Sequence, residues 1–287
     1  MKMKNFVAAF IAASSLSQIA NAQDYNLFNP TPQDKLRSMT TERPSKSDGV
    51  NTVDPGHFQI ETSFVSYTTN KDCDGGNCSK STTTSLGDTT NLRLGLTENS
   101  DLQIMFNPYL NRRISTTGSE VNKIDGFGDT NVRLKYSFSG NNGEKFGLAV
   151  VPFVKLPTNQ NEIGNNDVEG GIEFPFVVNF DNGLSLGGMT QFNFYKDQNS
   201  SESYRNSYYT AYINAIYLSG NFNDKFSGYA EYYTFKADIS NSWWQNSADF
   251  GLIYSINNNW KIDSGFNLGT TNAADDLNIF AGTAYRF

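Results

Sequence analysis

Few residues of this sequence could act as a catalytic nucleophile, a general base or a metal ligand. His57 is the only histidine, and nucleophilic catalysis by Ser or Cys usually needs a histidine as the base. The carboxylates of Asp275-Asp276, or of Glu169 with Glu173, could supply acid–base catalysis, but such spacings carry little specificity. We therefore predict that the protein is not an enzyme and has no cofactor or resident metal.

The sequence also contains two cysteines, Cys73 and Cys78, whose thiols are chemically reactive. They flank a short stretch of Asp, Gly and Asn, a composition typical of a loop. In an exported protein such a pair favours a local disulfide, whereas a metal site would need more ligands than two thiolates. We predict a disulfide that fixes the tip of this loop.

Charged side chains recur at every second position of segments whose intervening residues are apolar. Lys261 and Asp263, for example, alternate with Trp260 and Ile262. An Arg or Lys that faces lipid costs roughly 2–4 kcal/mol at the bilayer midplane, so these charges should face a polar interior. The candidates are Glu61, Arg93, Arg133, Lys135, Lys155, Glu169, Glu173, Glu231, Asp249 and Asp263. They form either a channel lining or an ion-paired network that closes the interior.

The segments that carry these charges have the pattern of β-strands. From Gly56 onward the sequence divides into twelve stretches with a period of two, bounded by Gly, Asn, Asp or Ser. They are 56–69, 85–96, 101–112, 128–138, 145–156, 167–180, 184–196, 206–220, 226–238, 244–256, 260–270 and 277–287. Every second connection is short and most others are long, as in outer-membrane barrels. We predict an all-β fold, a twelve-stranded antiparallel transmembrane β-barrel.

Tyrosines are frequent in the later strands. Most of them are expected in an aromatic belt at the membrane interface. The alternation also predicts that Tyr208, Tyr212, Tyr229 and Tyr233 point inward, where they could contact a sugar or an aromatic solute.

The start of the sequence predicts export. Lys2 and Lys4 precede an apolar run, and small residues follow up to Ala22, the layout of a signal peptide over residues 1–22. The expected location is the bacterial outer membrane, with lipid as a partner. The net charge of −7 argues against nucleic acid as a partner.

Residues 23–55 contain four prolines and no periodicity, so we predict an irregular periplasmic segment before the barrel at 56–287. Its residues Glu42 and Arg43 could hold it as a plug against the charges of the barrel interior. The alternative is a flexible periplasmic tail.

Short motifs are spread over nearly the whole chain after the leader. They occupy residues 27–32, 41–44, 53–62, 91–97, 128–129, 133–136, 152–158, 169–171 and 273–278. With these motifs the chain resembles the family named for a meta-pathway of phenol degradation. That family is similar to the barrel of the channel that secretes functional amyloid subunits, a twelve-stranded pore with an N-terminal plug. The resemblance implies an outer-membrane channel for small solutes, hydrophobic or aromatic ones if the family name has a chemical basis.

Two other functions stay open. One is a protein-export pore for amyloid-like subunits, although the amyloid channel carries a long helical region for which residues 23–55 are too few and too rich in proline. The other is a closed structural or adhesive barrel that acts through its outer loops. The final Phe287 resembles the signal that the barrel-assembly machinery recognises, which predicts that machinery as a partner.

Overall fold

The computed structural model describes residues 25–74, 77–86, 89–116, 121–161, 163–197 and 207–287. The predicted signal peptide, residues 1–22, lies outside these ranges. Among the described residues the helical structure is a single 3-10 turn, Gln33–Lys35. None of the helical structure in these ranges has the length and apolar character needed to span a bilayer.

Fifteen strands of the described chain form one antiparallel sheet. They are β1 (Phe58–Asp74), β2 (Asn77–Leu86), β3 (Thr90–Thr97), β4 (Ser100–Phe106), β5 (Tyr109–Thr116), β6 (Asn122–Gly126), β7 (Thr130–Ser139), β8 (Phe146–Leu156), β9 (Glu169–Asn179), β10 (Leu184–Lys196), β11 (Tyr208–Asn221), β12 (Phe226–Ala237), β13 (Gln245–Asn257), β14 (Trp260–Gly269) and β15 (Leu277–Arg286).

Twelve of these strands close into a barrel. Their order around the wall is β1, β3, β4, β7 and then β8 to β15, and β15 pairs with β1. The closing register runs from Gln59 opposite Arg286 to Thr69 opposite Leu277. Closure leaves the wall without an unpaired edge, which a sheet in lipid requires. The predicted twelve-stranded antiparallel barrel is confirmed.

The other three strands extend the sheet beyond the wall at the end that carries the longer loops. They pair in the order β1–β2–β5–β6. Residues 70–84 and 113–127 lie between the predicted strands and were expected to form loops. That expectation was wrong for residues 70–74, 77–84, 113–116 and 122–126, which belong to strands. Strand β2 is rich in Ser and Thr and shows no alternation of polar and apolar residues, so its pattern resembles a loop.

Pro108 separates β4 from β5, where the prediction had one strand over 101–112. Proline has no N–H to donate to a neighbouring strand and therefore interrupts a continuous ladder. After this break the chain leaves the barrel wall, because β4 pairs with β7 and β5 pairs with β2 and β6.

Short polar turns join the strands at the opposite end. The Asn257 side chain accepts the backbone N–H of Asn259 at 2.8 Å, and the Asn223 side chain accepts those of Lys225 and Phe226. Gly183 adopts a φ of 82° in the turn before β10. These are the side-chain-capped and left-handed conformations that favour Asn and Gly in tight turns.

The barrel has an apolar outer surface and a polar interior, the reverse of a soluble protein. On β14, Trp260, Ile262 and Phe266 are exposed, whereas Asp263 and Asn267 are buried. Since charged side chains are rarely buried in soluble proteins, the arrangement fits a wall whose outer face meets hydrocarbon.

Candidate functional site

The chain before β1 enters the barrel interior. We call residues 37–55 the N-terminal segment. Its Val50 is 1% exposed and packs with Ala149 and Val177 of the wall. A Cβ on Gly147 would lie 2.8 Å from Val50 Cγ2, so glycine at this position gives the segment room. The backbone N–H of Val53 donates to Asp101 at 3.0 Å.

Ion pairs fix both ends of the N-terminal segment at the turn end of the barrel. Arg37 and Arg286 bind the two oxygens of Asp54 at 2.7 and 2.8 Å. Arg286 also donates to the backbone oxygen of Arg37 at 3.0 Å. The two ends of the segment are therefore adjacent.

His57 lies beside this anchor and is held between two oxygens. Its ring nitrogens are each 2.8 Å from a backbone oxygen, one of Thr31 and the other of Phe287. Both partners accept hydrogen bonds, so both contacts are hydrogen bonds together only when both ring nitrogens carry hydrogen. This environment suits a structural clamp rather than a catalytic base.

Besides Arg286, three cations of the wall bind acidic residues of the segment. We call Arg93, Arg133 and Lys135 the cation cluster. Arg93, 1% exposed, contacts Asp101 at 2.6 Å, Glu42 at 2.9 Å and Glu61 at 3.0 Å. These contacts join β1, β3, β4 and the segment at one guanidinium.

Strand β7 supplies the other two members of the cation cluster. Lys135 donates to Glu42 and, at 2.7 Å, to the backbone oxygen of Gly49. Arg133 pairs with Asp48 of the segment and, at 2.6 Å, with Glu173 of the wall. Glu42 and Asp48 thus face β3 and β7.

Three carboxylates of the wall bind the opposite side of the segment. We call Glu231, Asp249 and Asp263 the carboxylate cluster. Asp263 accepts two hydrogen bonds from Arg43, at 2.7 and 3.2 Å. Lys46 Nζ lies 3.5 Å from Asp249. The segment therefore carries positive charge toward β13 and β14 and negative charge toward β3 and β7.

Glu231 and Asp249 are direct cross-strand neighbours, and like charges in such positions repel. The segment provides the compensating donors. Glu231 accepts the backbone N–H groups of Lys46 and Ser47 at 3.0 and 3.2 Å, together with the Ser47 hydroxyl. Glu231 therefore depends on the segment for its hydrogen bonds, whereas Asp249 also accepts one from Ser247 of the wall at 3.1 Å.

All ten charged residues that the sequence placed inside the barrel point inward. Their role in lining a path for a solute stays a prediction. Lys155 and Glu169 lie apart from the segment, near the loop end. Lys155 pairs with Glu169 and with Asp129, each at 2.9 Å. Asn165 donates to Glu169 at 2.7 Å, so this pair ties the loop after β8 to the wall.

Sequence reasoning missed several residues that hold the segment. They are Arg37, Lys46, Asp48, Asp54, Asp101 and Arg286. Alternation could have found Asp101 and Arg286, since each occupies an inward position of a predicted strand. The four residues before the barrel lie on irregular chain, where no periodicity marks an inward side.

The prediction for the tyrosines was half wrong. Tyr229 points inward and donates to the backbone oxygen of Pro44 at 2.9 Å, and Tyr233 also faces the interior. Tyr208 and Tyr212 point outward, and Tyr212 packs against Phe192 at 5.8 Å between ring centroids. The inward face of β11 instead carries Tyr209 and Tyr217, in phase with the buried residues Ala211, Ile213 and Ala215.

Two cavities remain beside the N-terminal segment. The turn-side cavity has a volume of about 610 Å³ and lies against residues 50–54. The loop-side cavity has a volume of about 300 Å³ and lies against residues 42–46. No residue lines both cavities, and different parts of the segment contribute to each lining.

The predicted disulfide falls on a hairpin. Cys73 of β1 and Cys78 of β2 are direct partners in the backbone register. Their side chains lie outside the described part of the structure, and the disulfide stays a prediction.

Asp48 should make the position of the segment sensitive to acid. Burial raises the pKa of this carboxyl, but Arg133 and Lys135 outweigh burial and lower the pKa to about 2. Because its pKa is lowered, ionised Asp48 stabilises the bound segment fully at any pH above its ordinary pKa of 3.8. This stabilisation is lost as the pH falls toward 2. Burial raises the pKa of Glu42. The effect of Glu42 on the stability of the bound segment is therefore complete once the pH is below its ordinary pKa, and it stays nearly constant at lower pH.

We expect acidification from pH 4 to pH 2 to release the segment, measured as faster proteolysis within residues 37–55. Asp48→Asn should reduce this pH response, because the wall carboxylates remain and only the Asp48 charge is removed. An equal pH response in the two proteins would contradict the role of Asp48.

A closed barrel with an apolar outside and a charged inside defines the chain as a bacterial outer-membrane β-barrel. Solved structures agree on the fold. The chain is similar to an outer-membrane channel from Pseudomonas putida F1, with a TM-score of 0.58, 11% identity, and 80% of this chain and 93% of that chain covered. It is also similar to the translocator domain of the autotransporter NalP from Neisseria meningitidis, with a TM-score of 0.52, 14% identity, and 80% and 88% covered.

The chain belongs to the family described as "Putative MetA-pathway of phenol degradation", whose model matches residues 41–287. The predicted family is confirmed. The match begins within the N-terminal segment, so it includes Glu42 and Arg43 as well as the barrel. Among curated protein sequences, none matches this chain.

Proposed function

We propose that the protein is an outer-membrane channel for small solutes, and that the N-terminal segment is a plug in its path. The observation that carries the proposal is the pair of cavities on opposite sides of the segment. Barrels of eight strands are filled by side chains, whereas those of 16–18 strands leave a water channel. A twelve-stranded wall is intermediate, and here its interior holds a stretch of chain as well as open volume.

The polar character of the contacts between the plug and the wall would allow the plug to leave the interior. Most of them are ion pairs and hydrogen bonds, and its buried apolar side chains are five: Met39, Pro44, Val50, Val53 and Pro55. Polar groups can exchange such partners for water or solute, whereas a large apolar interface would be lost on exposure. No catalytic role is part of the proposal, because His57 is engaged in structural contacts.

A closed structural barrel is the second candidate. The ion pairs that join the cation cluster and the carboxylate cluster to the segment favour it, because together they occupy the middle of the interior. This candidate predicts a barrel that never conducts.

Single-channel recording separates the two candidates. The refolded protein should give discrete, small current steps in a planar lipid bilayer, since the path past the segment is narrow. Folding is checked beforehand by heat-modifiable migration in a detergent gel. A correctly folded barrel that stays silent would contradict the channel and favour the structural barrel.

A further inference from the structure

At least half of the residues that line each cavity carry a hydroxyl or a carboxamide group. The turn-side cavity is lined by Ser38, Thr40, Asn51, Asn141, Asn179 and Ser219, among others. The loop-side cavity is lined by Ser63, Ser66, Asn91, Asn267 and Asn278, among others. Pockets for apolar ligands are lined mostly by apolar side chains. The linings therefore do not match a purely hydrophobic solute.

The charged side chains that line the cavities are already paired. In the turn-side cavity, Asp54 is shared by Arg37 and Arg286. In the loop-side cavity, Arg43 and Lys46 bind the carboxylate cluster, and the acidic lining residues bind the cation cluster. An ionic solute would have to replace an existing ion pair, whereas a neutral solute would not.

Five inward tyrosines lie on neighbouring strands, and two of them line the cavities. Tyr195 and Tyr209 are register partners near the loop end, with ring centroids 5.8 Å apart. Tyr233 lines the loop-side cavity and Tyr217 lines the turn-side cavity. Tyr229 lies beside Pro44 of the plug. The tyrosine strip, formed by these five residues on β10, β11 and β12, therefore passes along the plug.

Tyrosine rings flanked by amides and hydroxyls suit one class of solute. A sugar ring has a face of C–H groups that packs on an aromatic ring and an edge of hydroxyls that both donate and accept hydrogen bonds. The loop-side cavity, about 300 Å³, is at the lower end of the range for small-molecule pockets, a size that fits one or two sugar rings.

We propose that the cavities and the tyrosine strip bind a neutral, hydroxyl-rich solute of one or two rings, such as a mono- or disaccharide. The inference rests on the proposed channel and names its solute class. Tyr233 is the contact in the loop-side cavity. Lys46 Nζ lies over its ring at 4.7 Å, so a solute that packs on this face of the ring would displace Lys46 of the plug.

The test measures sugar binding to the refolded full-length protein in detergent, with sucrose as the probe and benzyl alcohol as the apolar comparison. Saturable sucrose binding is expected by titration calorimetry. Tyr233→Leu should weaken it at least several-fold. Tyr232→Leu is the matched control, because Tyr232 is the next residue on the same strand and faces outward.

Absence of saturable sucrose binding, preferential binding of benzyl alcohol, or equal weakening by the two variants would overturn the inference. Conductance is recorded on the same preparations. A conducting barrel without sucrose binding would reject the sugar class and leave the channel intact. A silent barrel that binds sucrose would support the binding site and reject the channel.

Discussion

Deletion of residues 38–53 is expected to raise the single-channel conductance several-fold, because the two cavities would merge into one continuous lumen. The ends of the deletion are close, since Arg37 and Asp54 are joined by a 2.7 Å ion pair. Two members of the cation cluster keep partners within the wall, since Arg93 retains Glu61 and Asp101 and Arg133 retains Glu173. Lys135 and the carboxylate cluster lose their partners in the segment and would face the water of the opened lumen. The barrel should therefore still close and insert.

Bilayer recordings of the intact and the shortened protein test this expectation. Asp181→Ala, in an exposed turn, is a control that should leave the conductance unchanged. Equal conductance with and without residues 38–53 would show that the segment does not obstruct the path, and the plug would have to be abandoned.

Arg93→Met is expected to produce the largest loss of stability among single substitutions. It removes the one cation shared by Asp101, Glu61 and Glu42 and leaves these carboxylates close together in a buried site. Breaking a buried ion pair in this way costs about 3–5 kcal/mol. The loss should appear as a lower urea concentration at the unfolding midpoint, monitored by tryptophan fluorescence in lipid vesicles.

A double substitution distinguishes an unpaired charge from simple loss of volume. Arg93→Met combined with Asp101→Asn should recover part of the stability, because one of the stranded carboxylates becomes neutral. Arg113→Met, at an exposed position of β5, should have little effect. A result for Arg93→Met as small as that for Arg113→Met would show that the cluster does not stabilise the fold.

The barrel could be predicted because most of its strands place different chemistry on their two faces. On β14 the contrast between Trp260 and Asp263 fixes which side is inward, and the same contrast placed the ten predicted charges on the inward side, although Asp101 and Arg286 were overlooked. Strand β11 lacks this contrast. Its inward face carries Ala211, Ile213 and Ala215, which are apolar like much of its outward face, so Tyr208 and Tyr212 were assigned to the wrong side.

The partners of the lumen charges could not be predicted. An irregular stretch has no repeating direction, so the sequence around Asp48 and Lys46 does not indicate which wall each side chain meets. These pairings arise only when the sheet closes and brings β7 and β13 to opposite sides of the same segment. Strands β2 and β6 were missed for a related reason, since polar residues occupy both of their faces. The first half of β5 was included in the predicted strand 101–112, but the break at Pro108 was not recognised.

The chain that joins the plug to β1 is short, and its length would determine how the proposed channel responds to a solute. After Asp54 only Pro55, Gly56 and His57 precede β1, so a displaced plug remains tethered at the mouth of its own binding site. Such a tether keeps the effective concentration of the plug high and independent of the amount of protein in the membrane. A solute would therefore compete with a covalently attached inhibitor, and passage would rise only when the solute outside is abundant.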